Sequence, residues 1–267
     1  MSGERSEACC LATETGGAGS PTLLLLHGLG TNAAVWHGLE KILSTRWPGR
    51  WLAPDLRGHG RSFHQGPYAA ALHAADVANL LNQEEETVIL GHSMGGLVGM
   101  VLGSGWFGIK VRQVIALGTK VEWKAEEAAK WRDRGLAGVR WFETRREAAE
   151  AYLRFTGLQG LVDPDSPVAL RGIVQEDGKF RLAMDPAAAR MAGGAPADRI
   201  FAAMRSPLRM MAGDGDPLVT TEQMRHYDPE PILLPGLAHN AHVQAPEMVW
   251  NAVEPILRAN RSAASKA

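Results

Sequence analysis

Six short apolar runs punctuate the chain, and each is stopped by glycine or a polar residue. PTLLLLHG (21–28) reads as a buried strand ended by Gly28. WLAPDLRGHGRS (51–62) begins as a strand and becomes a glycine-rich loop. ETVILGHSMGG (86–96), VRQVIALG (111–118), PLRMMAGDGD (207–216) and EPILLPG (230–236) follow the same plan. Between the runs, the pattern predicts helices over 34–46, 68–82, 95–106, 219–226 and 246–259. Buried strands alternating with helices predict an α/β fold, a mostly parallel sheet covered on both faces. Ligands bind such sheets at the carboxyl ends of the strands. The Gly, His, Asp and Ser residues that end these runs are therefore where chemistry is expected.

One region breaks the alternation. Residues 121–205 contain EWKAEEAAKWRDRGLAGVRWF and TRREAAEAYLRF, charged helix formers with apolar residues at helical spacing, and no convincing strand. This predicts a helical insertion, a cap or lid, within a core domain made of 1–120 and 206–267. Additional helices on the main sheet are the alternative. The tail RANRSAASKA predicts frayed structure.

Composition narrows the function classes. The chain has 267 residues, 45% of them hydrophobic, enough for a sizeable core. A formal net charge of −1 gives no basic excess for nucleic acid or an anionic membrane. The only two cysteines, Cys9 and Cys10, are adjacent and make no disulfide framework, which fits a reducing compartment. The N-terminal stretch has no continuous apolar core of a secretory signal, so a cytoplasmic protein is expected.

The strongest chemical signal is GHSMGG (91–96), a G-x-S-x-G directly after the apolar TVIL and directly before the helix-capable GLVGMVLG. That strand–turn–helix context is what a nucleophile elbow requires. Gly91 and Gly95 allow the tight turn, and the following helix N-terminus favours developing negative charge near Ser93. Serine needs a base, and the base needs an orienting acid. On this architecture the chain order is serine, acid, histidine. GDGDPLV supplies Asp214 and Asp216 after a late strand, and Glu122 follows the strand VIALG. PGLAHNAH supplies two histidines after the last strand, of which His239 stands directly in the loop and His242 one step beyond.

These motifs together resemble the α/β-hydrolase superfamily, in its esterase and ring-opening branch. HGLG (27–30) is similar to its oxyanion loop, PDLRGHGRS (54–62) to its loop after the next strand, and GHSMGG to its elbow. GDGDPLV and PGLAHNAHVQAPE are similar to its acid and histidine loops. The resemblance runs in order from residue 22 to about 258. It implies Ser93 as nucleophile, His239 as base and Asp216 as acid, the last from the family's G-x-x-D spacing counted from Gly213. It also implies an oxyanion hole made by the backbone N–H groups of Leu29 and Met94, with His27 bracing that loop. Two positions depart from the pattern. Ala238 replaces the usual glycine before the histidine, which requires a negative φ there, and Gln244 replaces a common glutamate.

No cofactor or metal is expected. No G-x-G-x-x-G follows the first strand, HGLGTN lacks the Walker lysine, and His239 with His242 are too few ligands for zinc. The expected partner is a small-molecule carboxylic ester, lactone or thioester, with Trp36, Trp123, Trp131, Trp141 and Phe142 as candidates to line an apolar pocket. The same triad is compatible with carbon–carbon bond hydrolysis of a diketone-type substrate, and a non-catalytic binding module is the reading from another class.

Overall fold

A computed structural model describes residues 10–264. Cys9 lies outside the described residues, and Cys10 is exposed and unbridged. Nine strands form two sheets: β1 (Thr13–Gly16), β2 (Thr22–Leu26), β3 (Trp51–Pro54), β4 (Glu86–His92), β5 (Lys110–Leu117), β6 (Ile173–Glu176), β7 (Lys179–Leu182), β8 (Leu208–Gly213) and β9 (Ile232–Leu234). Seven of them make the main sheet, in the order β1-β3-β2-β4-β5-β8-β9. All its pairs are parallel except β1 with β3.

The apolar runs are nearly continuous because both faces of the sheet are covered. Successive side chains still alternate between faces. Leu23, Leu25, Val88, Leu90, Ile115 and Leu117 join Trp36, Leu39, Trp250 and Val253 in one core layer. Leu24, Leu26, Ile89 and Val114 join Val77, Val98 and Leu102 in the other. The first layer is closed by α1 (His37–Arg46), entered through a 3-10 turn at Ala33–Trp36, and by α10 (Pro246–Ala264). The second is closed by α2 (Ala70–Ala78) and α3 (Met94–Leu102).

Between β5 and β8 lie α4 (Ala125–Leu136), α5 (Arg145–Thr156), α6 (Pro167–Leu170), the β6–β7 hairpin and α7 (Ala197–Ala203). After β8 come α8 (Thr221–Arg225) and α9 (Ala241–Gln244). No helix among the described residues is long and apolar enough to cross a membrane.

The sequence expectations need correcting in four places. Residues 121–205 do contain strands. β6 and β7 are joined by Asp177 and Gly178, both at positive φ (48° and 80°), the backbone of a two-residue hairpin turn. The Asp-Gly pair signals this turn, but the flanking strands are only partly buried, so their apolar alternation is weak. β1 was not expected because TETG is a polar edge strand. Its Gly16 faces the Trp51 indole, which lies 2.7 Å from where a Cβ would stand. α7 packs with the main sheet, Ile200 sharing a cluster with Val98 and Val114. Finally, α10 runs to Ala264 where a frayed tail was expected.

The loop after β3 is tied to the loop after β2 by one buried carboxylate. Asp55 Oδ1 accepts the Ala33 N–H at 2.8 Å, and Oδ2 accepts the Arg61 N–H at 3.0 Å and its Nε–H at 2.9 Å. Asp55 has 1% of its surface exposed and Ala33 none, so the Ala33 N–H has no water to replace the carboxylate. Asp55→Ala is expected to lower unfolding free energy by about 2 to 3 kcal/mol. Urea denaturation followed by tryptophan fluorescence checks this; an unchanged midpoint would contradict it.

Candidate active site

Ser93 sits between β4 and α3 with φ 51° and ψ −114°, one of two non-glycine residues at positive φ among the described residues. This backbone is unfavourable for an L-residue and persists only where the surroundings over-determine it. A Cβ on Gly91 would strike the Gly95 carbonyl, one on Gly95 the Leu26 carbonyl, and one on Gly96 the Thr119 hydroxyl. The Ser93 N–H donates to the Leu117 carbonyl at 2.8 Å, and the Gly96 N–H donates to the Ser93 carbonyl at 3.0 Å. The turn thus lifts Ser93 into a cavity of about 530 Å³ at the carboxyl ends of the strands.

His239 lines the same cavity as Ser93 and meets Asp216 there. The His239 Nδ1–H donates to Asp216 Oδ2 at 2.9 Å. The Asp216 side chain is fully shielded and that of His239 is 18% exposed. Asp216 Oδ1 accepts the Leu218 N–H at 2.8 Å, which fixes the carboxylate plane. The other two acids are engaged elsewhere. Exposed Asp214 accepts the Gly236 N–H at 2.8 Å, and exposed Glu122 accepts from Gln223 Nε2 at 3.2 Å. The α/β chain order therefore brings Asp216 to His239 and leaves Asp214 in the turn.

The histidine loop is held from three sides. His92 Nε2–H donates to the His239 carbonyl at 2.9 Å. Asn240 Nδ2 donates to the Thr156 carbonyl at 3.0 Å and the Gly157 carbonyl at 3.1 Å, clamping the loop to the end of α5. Gln244 Oε1 accepts the Ala238 N–H at 3.0 Å. Ala238 does not have a positive φ, so alanine meets no backbone strain there, and Gln244 fastens the loop around it.

Leu29 and Met94 line the same cavity. Met94 is the first residue of α3, where a helix leaves N–H groups without internal acceptors. Leu29 stands in a turn closed by the Thr31 N–H on the Gly28 carbonyl at 3.2 Å, with Gly30 at φ 83°. His27 braces this turn: its Nδ1–H donates to the Gly28 carbonyl at 2.8 Å, and its Nε2 accepts the Leu56 N–H at 2.8 Å. Burial lowers its pKa, and the two bonds together describe one neutral tautomer.

A family model described as the alpha/beta hydrolase family matches residues 23–252. The chain belongs to the alpha/beta hydrolase family. Among its relatives within that family, 2-(acetamidomethylene)succinate hydrolase of Mesorhizobium japonicum is 28% identical over 250 residues, 87% of this chain and 86% of the relative. Pimeloyl-[acyl-carrier protein] methyl ester esterase of Aeromonas hydrophila is 44% identical over 80 residues, 29% of this chain and 30% of the relative. Uncharacterized proteins of Mycobacterium tuberculosis and Mycobacterium bovis are 41% identical over 87 residues, a match that spans 25% of their length. A crystal structure of E-2-(acetamidomethylene)succinate hydrolase superposes with a TM-score of 0.77 at 26% identity, covering 93% of this chain and 95% of that one.

Several residues of this alpha/beta hydrolase take places the sequence reading did not assign. Trp36 is fully buried in the core rather than at the pocket. Of the other aromatics, Trp123 and Trp131 line the cavity, while Trp141 and Phe142 do not. Phe142 instead pairs its backbone with Phe180 of β7. Lys120 and Asn240, not singled out from sequence, both line the cavity. Only their position two residues past a strand-ending glycine and next to His239 marks them in the sequence.

His242 is a core residue. It is fully buried, its ring lies 4.5 Å from Trp36 and 4.3 Å from His92, and neither ring nitrogen has a partner. Burial, with the neighbouring His239 and His27, lowers its pKa to about 3. Below the unfolded value near 6.5, the unfolded chain takes up a proton that the folded chain refuses. His242 therefore costs stability as pH falls from about 6.5 towards 3, by about 1.4 kcal/mol per pH unit. His242→Phe keeps a ring against Trp36 and removes this titration. Between pH 6 and 4 the variant is expected to lose stability less steeply than wild type by about that slope, measured by urea denaturation at each pH. Parallel profiles would show that His242 is not held neutral.

Proposed function

We propose that the protein is a serine hydrolase of small to medium carboxylic esters, lactones or thioesters, acting through Ser93, His239 and Asp216. The observation that carries this reading is the 2.9 Å bond from His239 Nδ1 to a fully shielded Asp216, with His239 lining the same cavity as a serine on a strained turn. In this reading, His239 Nε2 removes the Ser93 proton as Oγ attacks the ester carbonyl carbon. The Leu29 and Met94 amides receive the oxyanion. His239 then protonates the departing alcohol or thiol oxygen or sulfur, and the acyl group stays on Ser93. Water, deprotonated by His239, attacks the acyl-enzyme, and collapse of the second oxyanion releases the acid and restores Ser93. Asp216 holds the tautomer with the proton on Nδ1 and stabilises the imidazolium.

The names of relatives that are a methyl ester esterase and a hydrolase agree with this reaction class. A binding module needs no acid to orient a histidine, whereas a catalytic base does.

Hydrolysis of p-nitrophenyl esters tests the proposal. Ser93→Ala and His239→Ala are each expected to lower kcat by about 10⁶-fold and Asp216→Asn by about 10⁴-fold, whereas Asp214→Asn and His242→Phe stay within about threefold. A fluorophosphonate probe is expected to label wild type at Ser93. Equal turnover by wild type and Ser93→Ala would overturn the reading, and a larger loss in Asp214→Asn than in Asp216→Asn would reassign the acid.

A further inference from the structure

The cavity walls are mostly apolar, but their charged groups are unbalanced. Three cations line the cavity, Lys120, Lys130 and Arg154, against one carboxylate, Glu127. Asp216 lies behind the His239 ring with its side chain fully shielded. Glu127 is already engaged. Its Oε2 accepts from Lys120 Nζ at 2.8 Å and from the Lys124 N–H at 3.1 Å. Arg154 reaches only the exposed Glu150, at 3.9 Å, and that carboxylate also serves Arg146 at 3.1 Å. Among the described residues, no carboxylate pairs with Lys130.

The aromatic walls argue against a cationic ligand. Each of these rings already carries one of the protein's own cations. Lys120 Nζ lies 4.8 Å from the Trp123 ring centre, and the Arg134 guanidinium lies 5.2 Å and 5.1 Å from those of Trp131 and Phe155. A second cation there would meet like charge in a low-dielectric wall. The Lys120 side chain is 12% exposed, so its charge is poorly screened towards the cavity.

We infer that the substrate carries an anionic group, a carboxylate or its equivalent, besides the scissile bond, and that Lys130 and Lys120 receive it. Lys130 supplies a cation without a carboxylate partner. Lys120, fixed on Trp123 and Glu127, is a pre-oriented ammonium that loses little freedom when it binds. The apolar surfaces of Trp123, Trp131 and Leu29 accommodate the chain between the anion and the ester. This inference rests on the esterase reading for its reaction, and on the charges lining the cavity for its selectivity.

Two matched sets of esters test it. Monomethyl esters of dicarboxylic acids of four to eight carbons are compared with methyl esters of the monocarboxylic acids of the same length. 6-Acetoxyhexanoate is compared with hexyl acetate. At low salt, kcat/KM is expected to favour the acid-bearing member by about tenfold in at least one pair, and the preference is expected to shrink at 1 M salt. Lys130→Glu and Lys120→Met should each reduce that ratio, and Lys120→Arg should retain it. Calorimetric binding of monomethyl adipate and methyl hexanoate to Ser93→Ala reads the same selectivity without turnover. Absent turnover with a persistent binding preference for the acid would overturn the esterase reading alone. A neutral preference in every pair, or a ratio unmoved by both lysine substitutions, would overturn this inference.

Discussion

The structure depends on a turn that only glycine allows. At the end of β4 the chain reverses into α3 so closely that neighbouring backbone occupies the space of two side chains and the Thr119 hydroxyl that of a third. Gly91, Gly95 and Gly96 leave that space empty. Ser93 stands among these glycines at a positive φ that the packing around it enforces. The hydrogen bond from its N–H to Leu117 pins the turn to the neighbouring strand β5, so the serine is positioned by the sheet and not by a free loop.

Around this fixed point, loops from distant parts of the chain are fastened by buried polar groups. Asp55 ties the loop after β2 to the loop after β3, and His27 closes the turn that presents Leu29. The His239 loop is held by His92 from the elbow, by Asn240 from the end of α5 and by Gln244 from its own sequel. Apart from the exposed Gln244 bond, each of these bonds is buried or partly so, and breaking one leaves an unsatisfied partner with little access to water. The segment between β5 and β8 therefore contributes to the site: Thr156 and Gly157 receive Asn240, and Trp123, Trp131 and Phe155 form its walls.

The histidines illustrate how environment separates identical side chains. His239 faces an acid and a cavity. His242, three residues on, is packed between Trp36 and His92 with no partner for either nitrogen and is held neutral by burial. His27 is neutral too, but its two bonds give it a bracing role. Charge is sorted in the same way. Lys120 is held on Glu127 and Trp123, while Lys130 has no such counterpart among the described residues.

The sequence by itself determined the alternating architecture, because strands buried on both faces must be continuous apolar runs. It also marked Ser93, since a G-x-S-x-G between a strand and a helix has few other uses. The candidates Asp214, Asp216 and Glu122 could be named from sequence, but the choice among them needed the third dimension. A carboxylate two residues away differs by one turn of a loop, and only packing decides which one meets His239. The β6–β7 hairpin carried its signal in Asp177-Gly178, whereas the polar edge strand β1 had no apolar pattern to show. The cavity's excess of cations was invisible for a different reason. Lys120, Lys130 and Arg154 are scattered among many balanced charges in the sequence, and only the tertiary structure gathers them around one cavity and assigns Glu127 to Lys120.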